Sequence, residues 1–496
     1  MTSKVTINRL STGVPGLDDV LGGGLPEFSF NLIAGAPGCG KTTLAHQIMF
    51  ALATPERPAL YFTVLGEPPL KMLRYQQQFG FFDSDAVNAS VFFVNLSEEA
   101  LTGDFDSVLQ AIVAKVEAHK PSVVFVDSFR SMSHAGGAER AHNDLQQFVQ
   151  QLGMLMTSWQ ATTFLLGEYN VEADANPVFT VADGMFCLYQ SVERNSMVRK
   201  LQVAKMRGQG TLPGLHTFRI TQDGIRVFAP APVAAANRKG AGAEPLPSRV
   251  LTGVAELDGM LGGGLPRGYS VLVAGPSGSG KSILASSFLV EGDRSGETGV
   301  IAAFDQNPFR SRDRRIADLI ERDRVALVHN LSPDLSIDEI VQHVLQEIRR
   351  LKATRVVIDS LSGFELSIAP AFREDFRENM LRMVTAFAGE GVTGMMTSER
   401  EDRYTDLRFS PYGTAFLTDA IIVQRYMEVD SRLLRMMAVV KVRASDHSNE
   451  LREYTIDNDG IQVGGRLDDL EGLLGGRPRR KDECDQRDEA GAAISG

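Results

Sequence analysis

The sequence has few cysteines and no long hydrophobic run. Only three of its 496 residues are cysteine, namely Cys39, Cys187 and Cys484, and their spacing fits neither a disulfide framework nor a zinc site. No segment approaches the ~18 apolar residues that a membrane-spanning helix needs, and the N-terminus has no hydrophobic signal-peptide region. These absences predict a reduced, cytoplasmic protein with no membrane partner.

Positive charge is also scarce. The chain has 51 Lys and Arg against 62 Asp and Glu, which leaves a formal net charge of −11. Nonspecific nucleic-acid binding depends on Lys and Arg that neutralise phosphates, so this balance argues against a nucleic-acid partner. The densest basic run, residues 310–315, is followed by mixed charges and indicates a solvated helix face or a subunit contact.

The chain does contain a phosphate-binding loop, and it contains it twice. Both copies fit the pattern G-x-x-x-x-G-K-[ST], and each lies between an apolar run and a helix-forming segment. Lys41 and Lys281 are expected to reach the β- and γ-phosphates of ATP, and Thr42 and Ser282 to hold Mg²⁺. The expected nucleotide-binding residues are Gly35, Ala36, Pro37, Gly38, Cys39, Gly40, Lys41, Thr42 and Thr43 in the first copy, and Gly275, Pro276, Ser277, Gly278, Ser279, Gly280, Lys281, Ser282 and Ile283 in the second.

The repeat extends beyond the loop. Residues 12–26 match residues 252–266 at an offset of 240, and the same offset separates Lys41 from Lys281. A constant offset over thirty positions indicates a duplicated domain. We therefore predict a first domain at 1–230, a Pro- and Ala-rich linker at 231–247, a second domain at 248–464 and a partly disordered tail at 465–496.

Each half also has an apolar run that ends in an acid. Asp127 and Asp359 follow such runs, and an unbroken apolar run is typical of a buried parallel strand. A carboxylate at the C-terminal end of that strand would lie beside the phosphates and hold Mg²⁺ through its waters. The alternative is a structural aspartate that caps the next helix.

Together these motifs resemble the KaiC-like ATPases of the RecA superfamily. The resemblance covers about residues 5 to 480 and includes the lead-in at 12–26, the loops, the Asp-Ser strand ends and a late Lys-x-Arg strand followed by a hairpin with an Asp-Gly turn. It implies an α/β fold with two tandem RecA-like P-loop domains, each a mostly parallel twisted sheet flanked by helices.

The resemblance also implies an assembly. In that family the Lys-x-Arg pair reaches the γ-phosphate held by a neighbouring subunit, which here assigns Lys205, Arg207, Lys441 and Arg443 to catalysis in trans. A cation delivered in trans can accelerate phosphoryl transfer by about 10³ to 10⁵. The expected partner is therefore the chain itself, as an ATP-dependent homo-hexamer. The alternative is ordinary charge on an edge strand.

The chain departs from the family at the general base. KaiC-like domains carry paired glutamates after the second strand, whereas here Glu67 alone remains in the first half and Asp305, followed by Gln306, in the second. A shifted or shortened carboxylate should activate water poorly, because a base must come within hydrogen-bond reach. We expect both halves to bind ATP and to hydrolyse it slowly.

It departs again at the family's autophosphorylated Ser-Thr pair. Ala415 and Phe416 occupy those places, and neither has a hydroxyl. Ser410, Tyr412, Thr414 and Thr418 are the nearby hydroxyls that could substitute. In the tail, residues 470–479 resemble the family's C-terminal loop, which can bind a protein regulator; the alternative is a weakly ordered end.

The function predicted from these motifs is a slow ATPase that acts as a hexameric nucleotide-state switch in signalling. An ATP-binding pseudo-enzyme scaffold is the main alternative, because both base positions are altered. A serine/threonine autokinase with non-standard acceptors is a further one. A RecA-like DNA motor is the least favoured, because it would need a basic DNA-binding surface.

Overall fold

The structure of the protein is a computed structural model. It describes residues 7–64, 69–101, 105–127, 138–168, 178–193, 196–230, 248–304, 314–329, 336–368, 376–399, 417–429, 431–468, 470–471 and 479–480. The chain forms two compact units, Met1–Pro230 and Ala231–Gly496. Among the described helices, none combines the length and the apolar character required to cross a bilayer.

The first unit alternates strands and helices up to a final antiparallel hairpin, as its sequence predicts. Its elements are β1 (Arg9–Leu10), α1 (Leu17–Val20), β2 (Leu25–Pro26), β3 (Phe30–Gly35), α2 (Lys41–Leu52), β4 (Ala59–Thr63), α3 (Pro69–Gln76), β5 (Val91–Asn95), α4 (Ser97–Leu101), α5 (Phe105–His119), β6 (Val123–Asp127), α6 (Ala138–Ser158), β7 (Thr162–Gly167), α7 (Val178–Val181), β8 (Gly184–Glu193), β9 (Ser196–Met206), β10 (His216–Thr221) and β11 (Gly224–Phe228).

These strands form a nine-stranded sheet in the order β11-β10-β9-β8-β3-β7-β6-β4-β5. The six strands from β8 to β5 are parallel, and β9 to β11 continue the sheet in antiparallel fashion. Helix α2 packs on one face, and α5 and α6 pack on the other. Because both faces are covered, the central strands are apolar along their length, as in β6, where Val123–Val126 are all buried.

The second unit repeats this plan. Its elements are β12 (Arg249–Val250), α8 (Ala255–Met260), β13 (Leu265–Pro266), β14 (Ser270–Gly275), α9 (Lys281–Arg294), β15 (Gly299–Ala303), α10 (Arg314–Glu321), β16 (Val325–His329), α11 (Ile337–Leu351), β17 (Arg355–Asp359), α12 (Leu361–Ser367), α13 (Phe376–Gly389), β18 (Thr393–Glu399), β19 (Ala420–Val429), β20 (Arg432–Val442), β21 (Arg452–Ile456), β22 (Ile461–Arg466), β23 (Leu470–Glu471) and β24 (Arg479–Arg480).

Its main sheet has the order β16-β15-β17-β18-β14-β19-β20-β21-β22, which is the first sheet's order strand for strand. The predicted fold class, two tandem α/β domains with mostly parallel sheets, is thereby confirmed. The boundary predicted at residue 464 falls inside β22, while the predicted linker at 231–247 lies outside the described residues. Beyond β22, the short strands β23 and β24 pair in antiparallel fashion.

An ion pair records the duplication with its charges exchanged. Glu27 accepts from Arg57 at 2.7 Å in the first unit. At the positions 240 residues later, Arg267 donates to Glu297 at 2.5 Å. The two halves therefore place the same pair of positions in contact, with opposite signs. In the second unit Glu297 also accepts from the buried Arg355, at 2.6 Å.

Candidate nucleotide-binding sites

Each phosphate loop lies between the central strand of a sheet and the helix that follows it. The first loop leaves β3 at Gly35 and enters α2 at Lys41, and the second leaves β14 at Gly275 and enters α9 at Lys281. Gly40 and Gly280, just before the helices, have φ of 108° and 101°, which side chains strongly disfavour. The backbone N–H groups and the helix N-terminus are thus presented to an anion.

The two loop lysines are held in the same way. Lys41 Nζ donates to the carbonyls of Gly35 and Ala36 at 2.8 and 2.9 Å. Lys281 Nζ donates to the carbonyls of Gly275 and Pro276 at 2.9 and 2.7 Å. Each lysine is only 9% exposed, so its ammonium group lies over the loop rather than in bulk solvent. This places a positive charge where phosphates would be bound.

The acid predicted beside the first loop does lie there. Thr42 Oγ1 donates to Asp127 Oδ2 at 3.1 Å, and the buried Tyr61 hydroxyl donates to the same oxygen at 2.7 Å. Burial raises the pKa of Asp127, although the hydrogen bonds from Tyr61 and Thr42 and the charge of Lys41 oppose that rise. Loop, lysine, hydroxyl and carboxylate form one connected site.

In the second domain the equivalent acid is held from the other side. Asp359 Oδ1 accepts a hydrogen bond from Thr397 of β18, the strand between β17 and the loop strand β14. In the first domain the donor Tyr61 comes instead from β4, the neighbour of β6 on the far side. The same carboxylate position is therefore supported by unrelated side chains in the two halves.

The residues present suit Mg²⁺ bound together with a nucleotide. Mg²⁺ is usually held by one or two protein oxygens, with phosphates and waters completing the octahedron. Thr42 with Asp127 offers one hydroxyl and one carboxylate within hydrogen-bond distance of each other. Ser282 and Asp359 would serve in the second domain. Over the described residues there is no cluster of three or more His, Cys, Asp or Glu suited to a metal.

The loops are supported by different chemistry beneath. In the second domain Ser279 Oγ donates to Gln424 at 3.0 Å, and the Tyr454 hydroxyl donates to the Ser279 carbonyl at 2.5 Å. In the first domain Cys39 occupies the position of Ser279 and lies in an apolar core with Leu188 and Phe218. Burial raises the pKa of the Cys39 thiol, which suppresses thiolate formation. This agrees with Cys39 as a small loop-filling residue.

The Lys-x-Arg cations lie toward the other end of the sheet's strands, away from the phosphate loop. Gly184, the first residue of β8, pairs with Asn31 of β3, and the next residue of β8 pairs with Lys205. Lys205 is therefore level with Leu32, and three residue steps along β3, about 10 Å, separate Leu32 from Gly35 at the loop. Lys441 has the same register relative to β14. These cations therefore lie far from the phosphate loop of their own domain.

The lysines of these pairs are held there by main-chain carbonyl groups. Lys205 Nζ donates to the carbonyls of Phe179 and Thr180 at 3.1 and 3.3 Å, and Lys441 Nζ donates to the carbonyl of Thr418 at 2.6 Å. Partial burial, and then the charge of the neighbouring arginine, lower the pKa of both lysines. Thr418, one of the candidate acceptor hydroxyls, is 1% exposed.

Two arginines near the loops were missed in the sequence. Arg199 of β9 lies at the end of the strands nearest the loop, where its charge lowers the pKa of Cys39 against the larger effect of burial. Arg435 of β20 is its counterpart, beside Tyr454. The Nε atoms of both are buried without a hydrogen-bond partner among the described residues. An unpaired guanidinium N–H beside a phosphate loop suits an anionic ligand. The signal was available, since both halves read Arg-x₅-Lys-x-Arg.

A glutamate at the end of the strand between loop and acid was also missed. Glu168 directly follows β7, and its charge raises the pKa of Asp127. Glu399 ends β18 and pairs with Gly275, the first residue of the second loop. The sequence signal is an acid after each of these apolar strands.

Other predicted site residues cannot be placed. The candidate bases Glu67 and Asp305 lie outside the described residues, as do Ala415, Phe416, Ser410, Tyr412, Thr414 and most of the tail segment 470–479. Their roles stay predictions from the sequence.

Comparisons with known proteins agree with this architecture. The family described as "ATPase: KaiC" matches residues 10–231 and again residues 250–468. Proteins named "Circadian clock oscillator protein KaiC" are similar over nearly the whole chain. The one from Picosynechococcus sp. is 26% identical over 96% of this chain and 93% of its own length. The one from Parathermosynechococcus lividus is 27% identical over 96% and 88%. Synechocystis sp. has a "Circadian clock oscillator protein KaiC 1" that is 26% identical over 99% and 95%.

Proposed function

Because the chain belongs to the KaiC ATPase family, we propose that it binds ATP in both domains, hydrolyses it slowly and works as a hexameric nucleotide-state switch in signalling. The observation that carries ATP binding is the pair of complete phosphate loops, each with a buried lysine at its mouth and an acid nearby. The slow rate and the switching role rest on the altered base positions, Glu67 and Asp305.

The parts of each site would divide the work of binding and phosphoryl transfer. The loop N–H groups would bind the phosphates, and Lys41 and Lys281 would neutralise the β- and γ-phosphate oxygens. Asp127 and Asp359 would hold Mg²⁺ through its waters. Mg²⁺, when bound with the nucleotide, supplies electrostatic stabilisation of the phosphate charge. Arg199 and Arg435 can add an N–H donor from the sheet side.

Water activation is the weak step in this proposal. The candidate bases are Glu67 and Asp305, one displaced by a position and one shorter by a methylene than the residues of KaiC-like domains. General-base catalysis contributes about 10² to 10⁴ in rate, so a poorly placed carboxylate slows turnover without weakening ATP binding. Long-lived ATP states are suited to a switch whose partners read the bound nucleotide.

A hexamer is proposed because Lys205 lies about 10 Å along the strand direction from the loop of its own domain, and Arg207 lies farther still, level with Phe30. Lys205 and Arg207, or Lys441 and Arg443, can act on a γ-phosphate only if another subunit presents it. A ring in which the Lys-x-Arg cations of one subunit lie against the phosphate loop of the next subunit satisfies this requirement. The resemblance to KaiC implies six subunits.

Steady-state release of phosphate from ATP tests the proposal. We expect the native chain to turn over slowly, each of Lys41→Ala and Lys281→Ala to retain part of the activity, and the double variant to lose it. Equilibrium binding of a labelled ATP analogue to the same four proteins separates binding from turnover. Turnover of many per second would contradict slow hydrolysis.

The alternative of an ATP-binding pseudo-enzyme is favoured by one observation, the alteration of both base positions. It predicts that the native chain binds ATP in both domains but releases no more phosphate than the Lys41→Ala, Lys281→Ala double variant. The two functions are therefore separated by the same assay.

A further inference from the structure

An aspartate joins the phosphate-loop strand to the arginine of the Lys-x-Arg pair in each domain. In the first domain Phe30 N–H, at the start of β3, donates to Asp183 Oδ2 at 3.0 Å, and Arg207 Nη1 donates to Asp183 Oδ1 at 3.0 Å. In the second, Ser270 N–H donates to Asp419 Oδ2 at 3.1 Å and Arg443 Nη1 donates to Asp419 Oδ1 at 3.2 Å. Each carboxylate therefore uses one oxygen for the loop strand and the other for the arginine.

The backbone determines where these carboxylates lie. Asp183 N–H donates to the Phe30 carbonyl at 2.7 Å, and Arg207 N–H donates to the Asp183 carbonyl at 2.9 Å. Asp419 has the same two contacts, to Ser270 at 2.9 Å and from Arg443 at 2.8 Å. The aspartate is thus pinned on both sides by main-chain hydrogen bonds. Its side chain can hold the guanidinium in one place.

The arginines keep donors for another group. A guanidinium has five N–H donors. The Arg207 side chain gives one nitrogen to Asp183 and another to the Thr180 carbonyl, at 3.2 Å, and yet is 57% exposed. The Arg443 side chain is also 57% exposed. Arginine held at one end and open at the other is preorganised to receive an anion from outside the domain.

Stability does not explain why both halves keep this arrangement. Ion pairs as exposed as these contribute little to the free energy of folding. Placement of a cation for phosphoryl transfer is worth far more, since a cation in trans can supply about 10³ to 10⁵ in rate. The arrangement is therefore better accounted for by catalysis in a neighbouring site.

We propose that Asp183 and Asp419 are positioning residues that orient Arg207 and Arg443 toward the nucleotide of the adjacent subunit. The proposal rests on the proposed ATPase function and hexamer. The loop and the arginine are then both attached to one strand, because β3 carries the loop at its C-terminal end and is joined through Phe30 to Asp183 at its other end. Each subunit would thus hold its own phosphate loop, and the arginine that serves its neighbour's nucleotide, as one rigid unit.

The test begins with Asp183→Asn in chains that also carry Lys281→Ala, which silences the second domain. Asparagine has nearly the shape of aspartate and its carbonyl can still accept from Phe30 N–H, but it loses the charge that orients Arg207. A misplacement of about 1 Å can cost on the order of 10² in rate. We expect kcat to fall by about tenfold to a hundredfold, with unchanged KM for ATP and an unchanged hexamer. The exposed Asp85→Asn is the matched control, and should leave kcat unchanged.

Mixing of subunits then shows on which site Asp183 acts. Chains with Asp183→Asn and Lys281→Ala keep an intact first loop but a poorly placed arginine. Chains with Lys41→Ala and Lys281→Ala lack a working loop but keep the Asp183–Arg207 pair. In rings formed from both, an intact loop meets an intact arginine, so phosphate release should exceed the sum of the two separate proteins. Asp419→Asn is tested in the same way with the Lys41→Ala background.

The outcomes separate the two proposals. If the chain with Lys281→Ala alone forms hexamers and hydrolyses ATP, but Asp183→Asn is equally fast or mixing restores nothing, the positioning role is wrong and the proposed function stands. If Asp183→Asn prevents ATP binding, or disrupts assembly more than Arg207→Ala does in the same Lys281→Ala background, its role is structural and the positioning role is again wrong. If the native chain neither assembles nor hydrolyses ATP, both proposals are overturned.

Discussion

At the scale of single residues, the phosphate-loop helix of the first domain contains a fully buried histidine. His46 of α2 packs edge-on against Tyr61, with ring centroids 4.5 Å apart, and against Phe93 at 5.7 Å. Tyr61 in turn donates to Asp127, the proposed metal-side acid. Burial lowers the pKa of His46 to about 4, and the neighbouring Gln76 opposes this only in part.

This burial predicts a pH dependence of stability in the first domain. The pKa of His46 is about 4 when folded and about 6.5 when unfolded, so the unfolded chain takes up the proton first as pH falls. The stabilisation is complete above pH 6.5 and is lost as pH falls toward 4. One pKa unit corresponds to about 1.4 kcal/mol, so His46 should cost about 2 kcal/mol between pH 7 and pH 5.

The variant His46→Leu isolates this contribution, because leucine remains apolar and cannot titrate. The fluorescence of Trp159, the chain's single tryptophan, reports unfolding of the first domain, where it packs against the core. The free energy of unfolding of the native chain should fall between pH 7 and pH 5 by about 2 kcal/mol more than that of His46→Leu. Equal pH slopes would show that His46 is not the titrating group.

At the scale of elements, strand β18 of the second domain passes an incompletely filled apolar space. A cavity between β18 and α13 is lined by residues that include Gly394, Val384 and Phe387. A methyl group on Gly394 would have no atom within 4 Å, and the residue has no left-handed backbone conformation. The first domain has Thr163 at the equivalent register position, since Asn31 pairs with residue 164 as Val271 pairs with Met395.

Gly394→Ala should therefore stabilise the second domain. Alanine restricts the unfolded chain and adds a buried methyl, together worth about 0.4 to 1 kcal/mol. The matched control is Gly299→Ala in β15, where the added methyl would lie 2.6 Å from Leu289, a buried core residue. That change should destabilise the same domain by about 1 to 3 kcal/mol. Calorimetric unfolding of both variants checks the opposite signs, and a lower melting temperature for Gly394→Ala would contradict the packing argument.

At the scale of the whole molecule, the loops and the Lys-x-Arg cations of each domain lie toward opposite ends of the sheet's strands. Assembly should then depend on bound nucleotide, because γ-phosphates would join one subunit's loop to the next subunit's cations. We expect light scattering to give six times the 54.1 kDa chain mass with ATP and Mg²⁺, and less without them. Arg207→Ala with Arg443→Ala should weaken this assembly while each chain still folds. A monomer under both conditions would contradict the ring.

Much of the fold was predictable from local sequence. The two phosphate loops, the strands before them and the apolar strands ending in Asp127 and Asp359 form where they were expected. Short, strongly apolar strands and glycine loops are determined by sterics and burial within a few residues. The roles of Glu67 and Asp305 as bases stay predictions, because those residues lie outside the described part of the chain.

The partners of those motifs could not be predicted in the same way. Tyr61 on Asp127, Thr397 on Asp359, and Asp183 on Phe30 and Arg207 join residues 24 to 153 positions apart. Such contacts depend on strand order and register, which a single sequence does not reveal. The missed Arg199 and Glu168 are similar cases, because they come close to Cys39 and Asp127 only through the pairing of strands in the sheet.

The sequence by itself determined that this protein has two phosphate cradles, because backbone conformation, glycine placement and the loop lysine are local properties. It also determined, through a constant offset of 240, that the two halves share one fold. Only the tertiary structure decided that the cations lie at the end of the strands away from the loop, and that an aspartate holds the arginine there. The physical reason is that the length of a strand, six residues in β3, separates the phosphate loop at one end of the sheet's strands from the cations at the other. A lysine or arginine side chain cannot span that distance.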